Sequence, residues 1–426
     1  MYYYLDKCLQ PLTTVERDGL LSHFAVHLSP IFYALLPFYK LVPRPETLLV
    51  LQALLVISGL IPLCLLARAL KCTRPQILCF GLVYCAYPAF MGGCFYDFHE
   101  NKFLTLMILW VLYFMETRRF KSMLACLALL LLVKEDAPVY AACIGLLCLI
   151  FSGENGNTGW AGLVFAASCL YFVMAVWYIN RFGDGAMINR FDNYISDKRL
   201  GLASMFKTIL VNPAYVLSQI AVEDKILFFL EMLLPLGFLP LMTKQWQRLT
   251  LLIPFVLINL MSNYKYQHSI FFQYTYGSGA LLFYLAMINL RSLNRTGLWR
   301  RALTSRLLAS GLLCALVITA TVVSSKSKYI RLYGRYHEKA AQARELLAQI
   351  PEDAPVRSST FFVPQLSMRD EIYLLDSGHE AGYAVVDLRA NYEKNLDQTL
   401  EQLEKDGYEE TGRVDRYVAV FEKTGR

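Results

Sequence analysis

Two clusters of ionisable residues interrupt long apolar stretches in the first third of the chain. The first contains Asp97, His99 and Glu100, and the second is Lys134-Glu135-Asp136. Ionisable groups inside apolar sequence are costly unless they are paired, hydrated or part of a site. A carboxylate can take a proton from a reacting hydroxyl, and a cation can stabilise a leaving group. The two clusters therefore predict one polar site, with Asp97 and Glu100 as candidate bases.

Each of these residues also has a structural interpretation. Asp97 and Glu100 could cap and hydrate the start of a helix, where negative charge is favourable. Lys134 could form an ion pair with Glu135 or Asp136 instead of binding an anionic substrate. We favour a functional role for the carboxylates, because ionisable groups at membrane depth are functional by default. For Lys134 both interpretations stay open.

The composition predicts a membrane protein. Of the 426 residues, 56% are hydrophobic and only 18% are charged, whereas soluble domains hold about 25% charged residues. The cysteines lie mostly in apolar runs, without CxxC or Cys/His spacing, so neither a zinc site nor a disulfide framework is predicted. The net charge of +7 is modest, and no nucleic-acid partner is predicted.

Ten apolar runs predict ten membrane crossings that bring the two clusters together. They cover residues 47–66, 77–91, 103–115, 122–133, 137–151, 160–179, 226–242, 249–260, 270–290 and 307–323. Several are shorter than the roughly 20 residues of a full span. The run at 31–41 is shorter still and predicts a helix lying at the membrane interface. Residues 1–19 and 181–225 are expected to be loops.

The basic residues fix the predicted orientation, because cytoplasmic loops are enriched in Lys and Arg. They fall in alternate loops, most densely at residues 291–306. We interpret that loop as a determinant of topology that needs no ligand. The opposite parity places Asp97, Lys134, His268 and the C-terminus on the outer face.

Beyond residue 326 the composition becomes that of a soluble α/β domain. Alternation and helical periodicity predict helices over 334–349 and 392–406, and strands over 355–362, 371–375, 383–388 and 412–421. The chain thus divides into an outer loop with an interfacial helix (1–45), a transmembrane domain (46–325) and an extracytoplasmic α/β domain (326–426).

Motifs along nearly the whole chain resemble an uncharacterised family of bacterial membrane proteins, known as domain of unknown function 2079. They are His27-Leu28-Ser29-Pro30, Tyr96-Asp97-Phe98-His99-Glu100, Val133-Lys134-Glu135-Asp136 and Phe272-Gln273-Tyr274. That family is similar to the GT-C glycosyltransferases. The resemblance implies a polytopic α-helical GT-C-like protein of the bacterial plasma membrane. It also implies a sugar donor linked to polyprenyl phosphate and an acceptor at the outer face, whose identity the residues do not give.

The resemblance adds catalytic candidates near the N-terminus. GT-C enzymes place a catalytic carboxylate in the outer loop after their first transmembrane helix, and this chain is expected to begin within or just after that loop. Asp6, Glu16 and Asp18 are the acidic residues there, and we retain Glu16 and Asp18 as catalytic candidates. A divalent metal held by Asp97 and His99 is a further expectation.

The remaining candidates would contact substrate. They are His27, His99, Lys134, Glu135, Asp136, His268 and Tyr274. A histidine beside aromatic residues is more often packed and hydrogen-bonded than a ligand. Tyrosines at a membrane boundary are usually interfacial anchors, although they can also stack on sugar rings. Two functions stay open: a lipid-linked sugar transferase, and a non-catalytic or degenerate membrane protein or transporter.

Overall fold

The protein is mostly helical and separates into two compact units. The computed structural model describes residues 1–17, 19–151, 158–183, 188–294, 298–389 and 395–424. One unit contains Met1–Ala25, Tyr33–Leu48 and Ser327–Arg426, and the other contains Val26–Phe32 and Leu49–Lys326. We call them the sheet unit and the helical unit.

Helices make up most of the chain that the structure describes. In chain order they are α1 Tyr2–Cys8, α2 Leu36–Leu41, α3 Pro45–Ser58, α4 Leu60–Ala69, α5 Arg74–Cys85, α6 Pro88–Cys94, α7 Lys102–Glu116, α8 Phe120–Leu131, α9 Ala137–Ile150, α10 Thr158–Phe182, α11 Leu202–Val211, α12 Pro213–Ile220, α13 Glu223–Leu233, α14 Tyr276–Asn294, α15 Leu298–Leu347 and α16 Leu396–Lys405. The residues predicted to form an interfacial helix form a 3₁₀ turn, Pro30–Leu35, followed by α2.

Four helical stretches are long and apolar enough to cross a membrane, counted over the described residues. They are Pro45–Ala69, Arg74–Cys94, Thr158–Phe182 and Arg301–Leu347. They coincide with four of the ten predicted crossings. Shorter apolar helices occupy Phe120–Leu131, Ala137–Ile150 and Leu202–Val211.

Two predicted crossings contain long stretches of 3₁₀ or π geometry instead of α-helix. In the run 226–242, α13 stops at Leu233 and two 3₁₀ turns follow, with Pro235 and Pro240 at their starts and positive φ at Gly237 and Phe238. The run 249–260 consists of a 3₁₀ segment and a π-helix, Phe255–Leu260. Asn259 in the π-helix donates to the carbonyls of Gln267 and Tyr274, at 2.7 and 3.1 Å. Its amide thus satisfies backbone groups of the next loop.

Both predicted loops are partly wrong. Residues 181–225 contain α11 and α12, whose apolar residues Met205 and Val216 pack with Tyr194 and Met261 in a buried cluster. The polar residues between these apolar positions lower the mean hydropathy of the stretch, which was therefore expected to be a loop. The N-terminal residues form α1 and a small antiparallel hairpin of β1 Leu12–Thr13 and β2 Leu21–Ser22.

The sheet unit carries a five-stranded mixed sheet. Its strands are β3 Val356–Ser358, β4 Ile372–Leu374, β5 Tyr383–Asp387, β6 Tyr408–Val414 and β7 Val418–Lys423, in the order β4-β3-β5-β7-β6. β3 is parallel to β4 and β5, whereas β7 is antiparallel to β5 and β6. One side of the sheet packs against the C-terminal turns of α15 through Ala343 and Leu347. The other side packs against Leu403 of α16.

The predicted single strand at 412–421 is wrong, because a hairpin turn divides it. β6 and β7 meet at Val414 and Val418, and Arg416 adopts a positive φ of 51° in the turn between them. No glycine or proline marks this turn, and the alternation of apolar residues continues through it. The sequence pattern therefore looked like one strand.

Candidate functional site

A buried ion pair joins the two acidic clusters within the helical unit. Glu100 lies in the turn before α7, and Lys134 lies in the turn after α8. The helices α7 and α8 form a hairpin, so these two turns come together at one end. Lys134 Nζ lies 2.6 Å from Glu100 Oε1, and the two side chains are only 1% and 2% exposed. The clusters thus meet as predicted, although Glu100 is buried rather than surface-facing.

The pair keeps both groups charged in spite of their burial. Burial favours the neutral carboxyl, but Lys134 and His99 outweigh it and hold the pKa of Glu100 well below its usual range. For Lys134, burial opposes the charge, yet the carboxylates of Glu100, Glu135 and Asp136 raise the pKa of the ammonium. The partner of Lys134 is therefore neither of its two sequence neighbours.

The next residue, Glu135, is tied to the His27-Leu28-Ser29-Pro30 motif. Its Oε1 lies 3.0 Å from His27 Nδ1, and its Oε2 accepts a 3.0 Å hydrogen bond from the backbone N–H of Leu28. Burial raises the pKa of Glu135, but the neighbouring His27 lowers it further, so that the net shift is downward. Both oxygens have protein partners, which makes Glu135 and His27 a positioning pair.

Asp136 differs from its neighbours because it has no ion-pair partner among the described residues. Its side chain is buried, and its Oδ1 finds no hydrogen-bond donor in the described part of the chain. Burial raises the pKa of Asp136 to about 6, although Lys134 acts in the opposite direction. A carboxylate with a pKa near neutrality is suited to accept a proton.

Asp136 lines a cavity of about 210 Å³. The walls are mainly apolar side chains of α9, α10, α11 and the π-helix: Val139, Phe172, Val176, Ile179, Leu202, Met205, Phe206, Leu257 and Ile258. The polar lining residues are Glu135, Asp136, Asn180, Arg190 and Gln267. An apolar cavity with a few polar groups fits a ligand that has a hydrocarbon part and a charged part.

Arg190 supplies the positive charge of this cavity. Its guanidinium carbon lies 4.8 Å from the ring centre of Tyr264 and 5.3 Å from that of Tyr274. Lys134 Nζ lies 5.9 Å from the same Tyr274 ring. Arg190 Nη1 is buried and has no acceptor among the residues that the structure describes. Tyr274 thus lies between two cations, one of which has an unused donor.

Asp97 and His99 lie at the margin of the site. The side chain of Asp97 is exposed, and its backbone carbonyl accepts a 2.8 Å hydrogen bond from Lys102 Nζ. His99 stacks on Tyr96 and places its Nδ1 3.7 Å from Glu100 Oε2. Within the described ranges no group of three or more His, Cys, Asp or Glu residues could hold a metal ion. The metal at Asp97 and His99 stays a prediction.

Glu16, Asp18 and His268 are the remaining candidates. Glu16 belongs to the sheet unit, where it contacts His23 Nδ1 at 2.5 Å. Asp18 lies outside the described residues. His268 is half-buried in the helical unit, and its Nδ1 has no hydrogen-bond partner within the described ranges. Tyr274 and Tyr276 are buried, and a role as interfacial anchors stays a prediction.

A comparison with known families identifies the same family that the motifs resemble. A family model described as a predicted membrane protein, DUF2079, matches residues 10–410. The chain belongs to this family. No curated protein and no solved structure matches the chain. The DUF2079 match shows a membrane protein of uncharacterised family, without extending to the GT-C superfamily.

Sequence reasoning about this DUF2079 protein missed Arg190. The residue lies in the 3₁₀ segment Ile188–Tyr194, inside a stretch expected to be a plain outer loop. A usable signal was present, since Arg190 is followed by Phe191 and precedes two amphipathic helices. Such segments pack against the membrane domain instead of extending into water.

Proposed function

We propose that this DUF2079 protein is a membrane glycosyltransferase whose donor is a sugar linked to a polyprenyl phosphate. The observation that carries the proposal is that Asp136 and Arg190 both line one apolar cavity. Each has a buried polar atom without a partner in the described residues. A lipid phosphate has the complementary parts, because its tail is apolar and its oxygens accept hydrogen bonds from a guanidinium.

The roles of the residues follow from their partners. Asp136 takes the proton of the acceptor hydroxyl while that oxygen attacks the anomeric carbon of the sugar. The bond from this carbon to the phosphate oxygen breaks, and the lipid phosphate leaves with the bonding electrons. Arg190 binds the leaving phosphate, and Lys134 adds positive potential while it remains paired with Glu100. Tyr274 holds Arg190 in place by its ring.

The proposal includes ten crossings and an outer location for the site and the sheet unit. Its support is the alternation of basic and acidic loops along the sequence. Asp376 is exposed in the sheet unit, so a cysteine there is a suitable label position in a background without native cysteines. A membrane-impermeant maleimide should label Asp376→Cys in intact cells and Lys121→Cys only after permeabilisation. The reverse pattern would invert the topology and place the site inside.

The activity is tested with membranes that contain the full chain and with donors labelled in the sugar. The donors are a panel of polyprenyl-phosphate hexoses and pentoses, and the readout is label transferred out of the donor lipid. Asp136→Asn should lower the rate by about two or more orders of magnitude, because the base is lost. Arg190→Gln should lower it by roughly one to two orders of magnitude, because a charge-assisted hydrogen bond to phosphate is lost.

A matched control is Asp192→Asn, which changes an exposed aspartate close to Arg190 and outside the cavity lining. It should transfer sugar at the rate of the unmodified protein. Asp97→Asn compares the carboxylate that the sequence favoured with the one that the cavity favours. Transfer that survives in Asp136→Asn but not in Asp97→Asn would move the base to Asp97. An unmodified protein that transfers from none of the donors would refute the proposal.

A transporter is the second candidate, and one specific observation favours it. The segments from Leu234 to Leu260 are broken into 3₁₀ and π turns around the buried Asn259. Discontinuous helices of this kind form substrate sites in secondary transporters. Uptake of a lipid-linked or free sugar by proteoliposomes without transfer of the label would support this function instead.

A further inference from the structure

A second cavity lies at the opposite end of α7 and α14 from Lys134. Its volume is about 550 Å³, and its lining includes Glu116 at the end of α7 and Arg291 in the last turns of α14. The two ends of α7 are separated by about 20 Å, given a rise of about 1.5 Å per residue. The cavity is therefore separate from the Asp136 site within the same helical unit.

Three arginines line this cavity, one of them exposed and the other two half-buried. They are Arg118, Arg248 and Arg291. In the described part of the chain none of them has a carboxylate within ion-pair distance. The one carboxylate in the lining, Glu116, instead accepts a 2.6 Å hydrogen bond from the hydroxyl of Tyr284. The lining thus carries two more positive than negative charges.

The guanidinium of Arg248 is fixed in orientation. Its Nη1 donates to the carbonyl of Ile288 at 3.2 Å and to Asn289 Oδ1 at 3.0 Å. These two bonds occupy one nitrogen and leave the other side of the planar fork without a partner among the described residues. Burial and, less strongly, the like charge of Arg291 lower the pKa of Arg248, whereas Tyr284 and Glu116 raise it. The guanidinium groups that line this cavity repel one another, and an anion bound between them would offset the repulsion.

An acceptor in the same cavity also lacks a partner. Gln245 Oε1 is buried and finds no donor within the described ranges. An anion alone would not satisfy it, whereas an anion that also carries a hydroxyl group would. Part of the wall is apolar, with Phe120 stacked on Trp160 at a centroid distance of 5.4 Å. The cavity therefore offers cations, a hydrogen-bond acceptor and apolar surface side by side.

We infer that this cavity is a binding site for a phosphate ester that bears a hydroxyl group. The arginines bind the phosphate oxygens as bidentate donors, and Gln245 accepts a hydrogen bond from the hydroxyl. Two sources share this chemistry: the headgroup of an anionic glycerophospholipid and a soluble glycerol phosphate. Basic pockets between transmembrane helices bind lipid headgroups in other membrane proteins. The inference does not depend on the transferase activity of the Asp136 site.

Direct binding to the purified full chain in neutral detergent tests the inference. The probes are short-chain phosphatidylglycerol, glycerol 3-phosphate and inorganic phosphate, each titrated by calorimetry. Arg118→Gln and Arg291→Gln should each weaken binding by about tenfold or more, because each removes charge-assisted hydrogen bonds. Arg119→Gln is the matched control: Arg119 is exposed and adjacent to Arg118, but it does not line the cavity.

The outcomes distinguish a lipid headgroup from a soluble ester as the ligand, and both from the absence of a site. Binding of phosphatidylglycerol alone assigns a lipid headgroup, and binding of glycerol 3-phosphate with equal affinity assigns a soluble ester. Inorganic phosphate should bind more weakly than either, because it cannot reach Gln245 and the apolar wall together. If no probe binds saturably, or if Arg119→Gln weakens binding as much as Arg118→Gln, the site does not exist. Should Arg291→Gln fail to fold, Arg291→Lys keeps the charge. It should still bind more weakly, because a lysine cannot donate two parallel hydrogen bonds to a phosphate.

Discussion

The two ends of α7 differ in the balance of positive and negative charge around them. At the start of the helix, Lys134 and Glu100 neutralise one another at 2.6 Å. The cavity nearby holds the carboxylate of Asp136 and the guanidinium of Arg190, each with a buried atom that has no partner among the described residues. At the end of the helix, three arginines line a cavity with a single carboxylate, which a tyrosine already occupies. The first arrangement is balanced, and the second has an excess of positive charge.

This difference separates a site suited to proton transfer from a site suited only to binding. Proton transfer needs a group whose pKa lies near the working pH, and Asp136 has one because a balanced environment lets burial raise it. Arginine stays protonated at any physiological pH, so a cluster of arginines can hold an anion but cannot accept a proton. Under the two proposals, the helical unit provides one site for proton transfer and a separate site for anion binding.

The largest expected effect is the loss of the buried charge balance in Lys134→Met. Glu100 would remain buried without its counterion, and the free energy of unfolding should fall by about 3–5 kcal/mol. Denaturation of the purified protein, followed by tryptophan fluorescence, measures the change. The double variant Lys134→Met/Glu100→Gln should recover most of the loss, since no buried charge is left unpaired.

Lys121→Met is the control for this substitution, because Lys121 is exposed. It should change the free energy of unfolding by less than about 0.5 kcal/mol. A Lys134→Met protein as stable as the Lys121→Met protein would mean that water reaches Glu100. The balance described for this end of α7 would then be incorrect.

A smaller effect is expected from the pH dependence of stability at Asp136. The folded protein binds the proton of Asp136 more tightly than the unfolded chain, because burial raises the pKa from 3.8 to about 6. This residue's contribution to stability is therefore present below about pH 4, declines as the pH rises to about 6, and is absent above it. Asp136→Asn, which stays neutral, should gain about 3 kcal/mol over the unmodified protein at pH 7.5.

Melting temperatures at pH 4.5 and 7.5 measure this gain, with Asp192→Asn as the exposed control. The advantage of Asp136→Asn should be large at pH 7.5 and small at pH 4.5. An Asn variant that is less stable at both values would show that the carboxylate has a partner in the folded protein. Asp136 would then be equivalent to Glu135 and unsuited to act as a base.

The smallest expected effect concerns the other end of α7. Tyr284→Phe removes the hydroxyl that donates to Glu116 and should lower the free energy of unfolding by about 1–2 kcal/mol. The freed carboxylate would compete for the arginines, so binding of phosphatidylglycerol should weaken by several-fold. Tyr113→Phe, on the helix α7 that carries Glu116, is the matched control in thermal unfolding and calorimetry. Unchanged affinity in Tyr284→Phe would mean that Glu116 does not limit the charge excess.

The meeting of the two acidic clusters was predictable from the sequence. Two short apolar runs joined by a basic turn have to form a hairpin, and a hairpin returns its ends to the same side. The identity of the ion pair was not predictable, because Lys134 has two carboxylates next to it in sequence and one across the hairpin. Only the packing of α7 against α8 selects Glu100.

The arginines of the second cavity were visible in the sequence, but only as members of basic loops. Arg118, Arg248 and Arg291 lie in or beside three basic loops of the same parity, which we interpreted only as determinants of topology. Parity implies that such loops gather on one side, but it does not tell which of their charges turn inward. Which charges line the cavity depends on the folded positions of the ends of α7 and α14 and of the 3₁₀ segment that carries Arg248.

Irregular backbone set the limit of the fold prediction. Hydropathy averages over a window, so the apolar runs at 226–242 and 249–260 looked like continuous crossings. Their turns come from Pro235, Gly237 and Pro240, and from the hydrogen bonds of Asn259 to the following loop. The last of these depends on the pairing of one side-chain amide with carbonyls 8 and 15 residues later in the chain, and a hydropathy average does not register such a pairing.

The glycine at the start of α14 constrains how relatives of this protein can vary. Gly277 packs so closely on Tyr140 of α9 that a Cβ atom would overlap the tyrosine ring. A relative with a larger residue at position 277 needs a smaller side chain at position 140. The two positions should therefore covary across the DUF2079 family, with volume gained on one helix and lost on the other.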